Sequence, residues 1–144
     1  MNTAVTLCGI ELKNPIIPAS GTFGYGREFA EIYDLNRLGS FCMKGTTAAA
    51  RYGNAAPRIA EAPSGLLNSV GLQTPGVDAV IERELPNVAR IFSGSVMANV
   101  CGFSVGEYVS VAEKFDACPE VGWLEINVSC PNVHGGGMGF GTTC

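Results

Sequence analysis

Short apolar runs alternate with helical periods along this chain, and that alternation restricts its fold more than any other feature. The runs are Pro15-Ile16-Ile17-Pro18-Ala19-Ser20, Ser40-Phe41-Cys42-Met43, Ser95-Val96-Met97-Ala98-Asn99-Val100 and Trp123-Leu124-Glu125-Ile126-Asn127-Val128-Ser129-Cys130. After the first, Phe29, Ile32 and Tyr33 fall on one helical face. From Val77 to Arg90, Val77, Val80, Ile81 and Leu85 keep helical register, with Pro86 breaking the helix or opening a second one. Ser104-Val105-Gly106-Glu107 has the form of a capping box, ahead of a helix whose Tyr108, Val111, Ala112 and Phe115 share a side. Strand–helix alternation means parallel strands joined by right-handed crossovers. A short hairpin from Ala4 to Lys13, turning around Cys8-Gly9, is expected to precede them.

The fourth run carries the most chemistry. Leu124, Ile126 and Val128 lie on one face of a strand, and Trp123, Glu125 and Asn127 on the other. Pro131 cannot donate to a ladder, so the strand is expected to stop near Cys130. It thereby delivers an amide, a hydroxyl, a thiol and the second amide of Asn132 to one strand tip. Gly135-Gly136-Gly137-Met138-Gly139-Phe140-Gly141 follows and could serve as a mobile cover. Two architectures fit the alternation, a doubly wound sheet or half of a (β/α)8 barrel. The first requires a nucleotide fingerprint after the first strand, and Gly21-Thr22-Phe23-Gly24-Tyr25-Gly26 does not match GxGxxG. The inner face of the fourth strand is also more polar than a buried open sheet allows. A barrel whose mouth holds a polar group fits better.

Composition narrows the function. With 144 residues, 47% hydrophobic and 15% charged, the chain reads as one globular domain. A net charge of -4 without a basic cluster argues against a nucleic-acid partner. No apolar run approaches a membrane span and no signal peptide is recognisable, so a cytoplasmic location is expected. The six cysteines, Cys8, Cys42, Cys101, Cys118, Cys130 and Cys144, include no CxxC pair, and a lone His134 leaves no zinc set. All six are read as reduced thiols, and Cys130 alone as chemically employed. Cys144 is simply the last residue. The segment from Ala48 to Pro75 shows little strand or helix period, and loops of that length in a compact domain are usually functional. Its centre, Leu67-Asn68-Ser69-Val70-Gly71-Leu72-Gln73, mixes amides with apolar residues as a substrate-covering loop would.

Five segments taken together resemble the dihydroorotate dehydrogenases, and most nearly the class 1B catalytic subunit. They are Pro18 to Gly26, Lys44-Gly45-Thr46-Thr47, Pro57-Arg58-Ile59-Ala60-Glu61, Leu67 to Gln73, and Asn127-Val128-Ser129-Cys130-Pro131-Asn132-Val133. The resemblance implies an α/β fold in which this chain forms the N-terminal half, about four βα units, of a TIM (β/α)8 barrel, preceded by the hairpin. Residues 1–144 would then be a partial FMN-dependent barrel domain, since a complete barrel takes about 250 residues. It implies oxidation of dihydroorotate to orotate in pyrimidine biosynthesis, with Cys130 as the base and hydride passing to FMN. A free thiol ordinarily titrates at about 8.5, so a thiol base working at neutral pH needs nearby donors and a dry site.

The same resemblance assigns the remaining roles. Ser20, Gly21, Lys44, Gly45, Thr46, Asn99 and Asn127 would hold FMN, and Lys44, Asn68, Ser69, Val70, Gly71, Leu72, Asn127 and Asn132 would meet the substrate. The partner implied is an iron–sulfur flavoprotein subunit carrying FAD and a 2Fe–2S cluster, within an oligomer linked to NAD. No Fe–S ligand set and no other metal site is expected in the chain itself. Asparagines also serve as turn formers, and His134 is read as a loop residue. Thr74 stands where the family usually has Asn. A related flavin barrel acting on dihydropyrimidines, or a non-catalytic half-barrel module, would share much of this pattern. The isolated 144-residue chain is expected to bind FMN weakly or not at all and to expose unpaired edges on its first and fourth barrel strands.

Overall fold

The computed structural model describes residues 2–142. Strands β1 (Val5–Leu7) and β2 (Ile10–Leu12) pair antiparallel, turning through Cys8 and Gly9 at φ 48° and 84°. This is the expected hairpin. It tucks under the strand ends, where Trp123 Nε1 donates to the Leu7 carbonyl at 3.2 Å.

The first apolar run lies alongside the second without forming a regular ladder. Gly39 and Cys42 donate backbone bonds to the carbonyls of Ile16 and Pro18 at 3.1 and 3.0 Å. Pro15 and Pro18 have no N–H to return, so the pairing is one-sided. The second run is tied to the third by bridges Cys42–Met97 and Thr46–Val100. Among the described residues only β5 (Val96–Val100) and β6 (Val121–Ile126) form a parallel ladder, with a register shift between Val96 and Met97. Among the described residues the strands form three separate two-stranded sheets and no closed barrel. β6 ends at Ile126 rather than near Cys130, a correction with a local cause. Asn127 makes the last ladder bond, to the Val100 carbonyl at 2.9 Å, and its side-chain oxygen then accepts from Ser129 N at 3.3 Å. That Asx-type turn pulls the chain out of the sheet four residues early.

The crossover helices hold the core. Helix α1 (Arg27–Ala30) is a single turn; Phe29 and Tyr33 pack on the core, but Ile32 is 77% exposed, against expectation. Helix α2 (Val77–Ala79) passes through a π-helical turn, Val80–Glu84, into α3 (Leu85–Ile91). Pro86 supplies no amide to an i–4 carbonyl, and the wider turn before it lets the helix continue instead of breaking. In α4 (Val105–Asp116), Ser104 Oγ accepts from Glu107 N at 3.2 Å, and the i, i+4 pair Val111 and Phe115 is fully buried. Phe29, Phe23, Phe41 and Phe92 form a chain of ring contacts with centroids 4.3, 5.0 and 5.3 Å apart. Each such buried side chain contributes about 1.5–3 kcal/mol. Val96, Ala98 and Val100 of β5 are buried with them, so β5 is the spine on which the tips are mounted.

The long segment from Ala48 to Pro75 is not structureless. It contains an antiparallel hairpin, β3 (Ile59–Ala62) with β4 (Gly65–Asn68). Both faces of that hairpin are exposed, so its sequence carries no alternation to betray it. Helix α5 (Met138–Gly141) interrupts the Gly-rich tail. The described cysteines, Cys8, Cys42, Cys101, Cys118 and Cys130, are all free thiols, and Cys144 lies outside the described residues. Among the described residues no helix is long and apolar enough to cross a membrane, and no cluster of metal-ligating side chains occurs.

Candidate functional site

Parallel strands bring their C-terminal ends to one side, and there the polar residues of four different segments meet. The first run contributes Ser20 and Gly21, the second Lys44 and Gly45, β5 Asn99, and the exit of β6 Asn127, Ser129 and Cys130. With the Asn68–Leu72 stretch and Asn132 they line a cleft of about 250 Å³. Fourteen residues make its wall, and they include most of the positions singled out by the sequence. Thr46 and Ser69 do not line it. Thr46 is buried with its hydroxyl donating to the Lys44 carbonyl at 3.0 Å, and Ser69 is engaged through its backbone.

The floor is a closed hydrogen-bond network centred on Glu125. One carboxylate oxygen, Oε1, accepts from Ser20 Oγ at 2.8 Å, from Cys42 Sγ at 3.4 Å and from Asn99 Nδ2. A carboxylate only accepts, so it turns the nitrogen of Asn99 toward itself and leaves the amide oxygen for the other side. That oxygen accepts from Asn127 Nδ2 at 3.1 Å and from Cys101 Sγ at 3.2 Å. The main chain at Asn127 is held as well, because Tyr108 Oη donates to its carbonyl at 2.6 Å. Glu125 thus fixes Asn99, and Asn99 fixes Asn127. Sequence reasoning placed Glu125 on the inner strand face but gave it no part in the site; the alternation of the fourth run was the signal.

The floor also separates the thiols. Burial, and next the charge of Glu125, push the Cys42 thiol up to about 12. Burial, and next the neighbouring Cys130, do the same to Cys101, also to about 12. Both stay protonated at neutral pH. Cys130 differs in position: it is only partly buried and stands on the wall between the cleft and a hollow lined by His134 and Met138. Gly137 packs directly on it, and a Cβ at 137 would come within 2.9 Å of the Cys130 Cβ. Met138 N bonds the Cys130 carbonyl at 3.2 Å, so the Gly-rich stretch lies against the thiol's own backbone.

The rim is built from loops. Asn132 Nδ2 faces Asn68 Oδ1 at 3.5 Å. Gly71 and Leu72 both take left-handed conformations, at φ 71° and 57°, with Leu72 turned in to a buried position on the cleft wall. Lys44 stands between this cleft and a second hollow lined by Tyr25, Arg51, Tyr52 and Gln73.

A flat polar cofactor is compatible with this cleft. A Cβ at Gly21 would meet no atom within 4 Å, so bare backbone faces open space there. At Gly45 a Cβ would instead strike Asn99 Oδ1 at 2.8 Å and Cys101 Sγ at 2.9 Å, so the glycine keeps the wall thin. Amides, a lysine and backbone N–H groups suit the ring edges of a flavin better than a metal ion.

A partial α/β barrel with its polar residues gathered at the strand ends is the class of protein these features define. The dihydroorotate dehydrogenase family profile matches residues 2–143, and the chain belongs to that family. It is 55% identical over 139 residues to the "Dihydroorotate dehydrogenase B (NAD(+)), catalytic subunit" of Anoxybacillus flavithermus, covering 96% of this chain and 44% of the relative. It is 52% identical to the protein of that name from Enterococcus faecalis, covering 96% of this chain and 45% of the relative. The chain therefore spans under half the length of these curated relatives. Among solved structures, the dihydroorotate dehydrogenase of Eimeria tenella in complex with ferulenol superposes with a TM-score of 0.69 at 22% identity, over 93% of this chain and 38% of that one. That likeness shows the fold.

Proposed function

We propose that the intact protein carrying this chain oxidises dihydroorotate to orotate with FMN as the immediate hydride acceptor. The reading rests above all on the convergence of Lys44, Asn68, Asn99, Asn127, Cys130 and Asn132 on one cleft at the strand tips. Ser20, Gly21, Gly45, Asn99 and Asn127 would hold the cofactor, with Thr46 acting through its backbone and Lys44 reaching it from the side. When bound, FMN supplies the acceptor for the hydride that leaves C6 of the substrate. Cys130 takes the C5 proton on its sulfur, so that the new double bond forms between C5 and C6.

Asn68, Asn127 and Asn132 each offer a donor and an acceptor to the ring amides, and their donors can serve the carboxylate. Lys44 contributes a cation where negative charge collects. Val70, Gly71 and Leu72 close the substrate side and exclude water, with Ser69 holding the loop through its main chain. The network from Glu125 through Asn99 keeps Asn127 oriented without reorganisation during the reaction. The "catalytic subunit" in the relatives' names supports a second subunit here as well. We assign it as an iron–sulfur flavoprotein that passes electrons to NAD. A cytoplasmic site of action fits such chemistry.

Anaerobic mixing of the intact, flavin-loaded enzyme with dihydroorotate tests this. Flavin absorbance should bleach, and Cys130→Ser should keep its flavin but reduce it about 100-fold or more slowly at neutral pH, in line with the usual contribution of a general base. Wild-type reduction rates in that variant would remove Cys130 from the role of base. Turnover of dihydrouracil in place of dihydroorotate would change the substrate.

A further inference from the structure

Asn54 has no part in the chemistry proposed above, yet it joins the two loops that would close on the substrate. Its backbone N–H donates to the Val70 carbonyl at 2.9 Å. Its side-chain nitrogen donates to the Ser69 carbonyl at 2.8 Å and to the Asn132 carbonyl at 2.9 Å. A primary amide has two N–H groups on one nitrogen, and here both are spent on carbonyls of different loops. The first loop carries Asn68, Gly71 and Leu72. The second carries Cys130 and Asn132.

The backbone around this contact is closely fitted to it. Gly71 packs flat on the Asn54 side chain, and a Cβ at 71 would come within 2.5 Å of Nδ2. At Gly53 a Cβ would come within 2.3 Å of the Val70 carbonyl oxygen, and φ there is +86°. Leu72, a branched residue, is held at φ 57°, a conformation that persists only where surrounding bonds impose it. The side chains of Asn68 and Asn132, by contrast, meet at only 3.5 Å and cannot set the spacing themselves.

We propose that Asn54 is a positioning residue that sets the distance between the Asn68–Leu72 loop and the Cys130–Asn132 loop, so that a dihydroorotate-like ring is gripped from both sides only while its amide bridges them. The proposal rests on the functional reading above for its substrate, but the bridge itself is a property of the chain. Asp at this position would have the same shape and present oxygen to two carbonyls, so it should hold the loops worse than Ala does.

The test uses the intact enzyme as Asn54→Ala and Asn54→Asp. In Asn54→Ala the orotate Kd, read from the flavin absorbance shift, and the dihydroorotate KM should rise about tenfold or more, the loss expected for two backbone-directed hydrogen bonds, with a smaller change in kcat. Asn54→Asp should be weaker still. FMN content should stay at the wild-type level, because the hydrogen bonds of Asn54 go to Ser69, Val70, Asn132 and Arg58 and not to Ser20, Gly45 or Asn99; a general folding defect would lower flavin content and orotate binding together. If Asn54→Asp does not retain flavin, Asn54→Ala decides. Hydrogen exchange without any ligand supplies a second readout: the amides of Ser69, bonded to the Arg58 carbonyl, and of Met138, bonded to the Cys130 carbonyl, should lose protection together in Asn54→Ala. Wild-type orotate affinity with full flavin, or unchanged exchange in both segments, overturns the proposal. A wild-type enzyme that ignores dihydroorotate overturns the substrate reading instead, and the exchange experiment still decides the bridge.

Discussion

Below the cleft, Glu125 gathers three side-chain donors, Ser20, Cys42 and Asn99, onto one carboxylate oxygen. Above it, Arg58 does the reverse. Its guanidinium donates to the carbonyls of Tyr52 at 2.6 Å and Asn54 at 3.1 Å and to Gln73 Oε1 at 2.6 Å, while lying 4.8 Å over the Tyr52 ring. The floor is side chain on side chain, mounted on strands whose register is already set by the β5–β6 ladder. The rim is mostly side chain on backbone, and those bonds join the β3–β4 ladder in shaping the loops. A floor of this kind can orient groups but cannot easily move; a rim of this kind can be released by breaking one or two contacts. That division suits a site in which one wall must stay fixed and the other must admit a ligand.

The largest effect should come from the floor. Glu125→Leu would strip Ser20, Cys42 and Asn99 of their shared acceptor, leaving Asn99 Nδ2 only Ser20 Oγ at 3.3 Å, with Cys42 and Asn99 both buried. Losing a charged acceptor and stranding its donors costs about 3 kcal/mol or more. Denaturant unfolding of the intact protein should show that loss, and flavin content should fall with it because Asn99 and Asn127 lose their orientation. A loss below about 1 kcal/mol would mean that water replaces the carboxylate and that the network is not closed.

The same contrast explains what could be read in advance. Ser20, Lys44, Asn99 and Asn127 each stand at or beside the end of an apolar run, a place the pattern marks, while the roles expected of them come from the family resemblance. Glu125 was marked too, by the alternation of the fourth run, although its partners come from segments far away in sequence. The rim left no such trace. Ile59, Leu66 and Leu67 of the β3–β4 hairpin are 60%, 67% and 67% exposed, so their faces are not sorted by burial and no period of two appears. Asn54 and Arg58 act through backbone atoms, which every residue has, and only the fold says whose carbonyl they reach. The end of β6 was missed for a related reason: the Asx turn at Asn127 competes with the ladder, and a search for Pro131 alone overlooks it. The one-sided pairing of the first run follows from Pro15 and Pro18, which the apolar pattern conceals.

Arg58→Ala should show the rim's character. Its carbonyl partners can turn to water, so global stability should drop by no more than about 1 kcal/mol. Local protection is another matter. The amide of Asn54, bonded to Val70, and that of Ser69, bonded to the Arg58 carbonyl, should exchange markedly faster in the folded variant. If stability fell as far as in Glu125→Leu, the loops would be an integral part of the core and the contrast between floor and rim would fail.

A last effect, absent at neutral pH, separates the floor from the rim, because the buried thiols Cys42 and Cys101 belong to the floor alone. Folding raises both from the ordinary thiol range, about 8.5, to about 12. A raised value means that the folded state holds the proton more tightly than the unfolded chain does. The resulting stability is complete below the unfolded value and is lost as pH climbs from there toward the folded one. Melting temperature under reducing conditions should therefore be flat from pH 7 to about 8.5 and then decline. Tyr25, likewise pushed up to about 12 by burial and then by Glu84, joins only above the ordinary tyrosine value of about 10. Between those two points the thiols dominate, so Cys42→Ala should make the decline shallower there. Cys8→Ala, which removes an exposed thiol, should leave it unchanged. An identical pH slope in Cys42→Ala and the parent would show that this thiol titrates alike in both states, and that its place beside Glu125 adds nothing to the floor's hold on its protons.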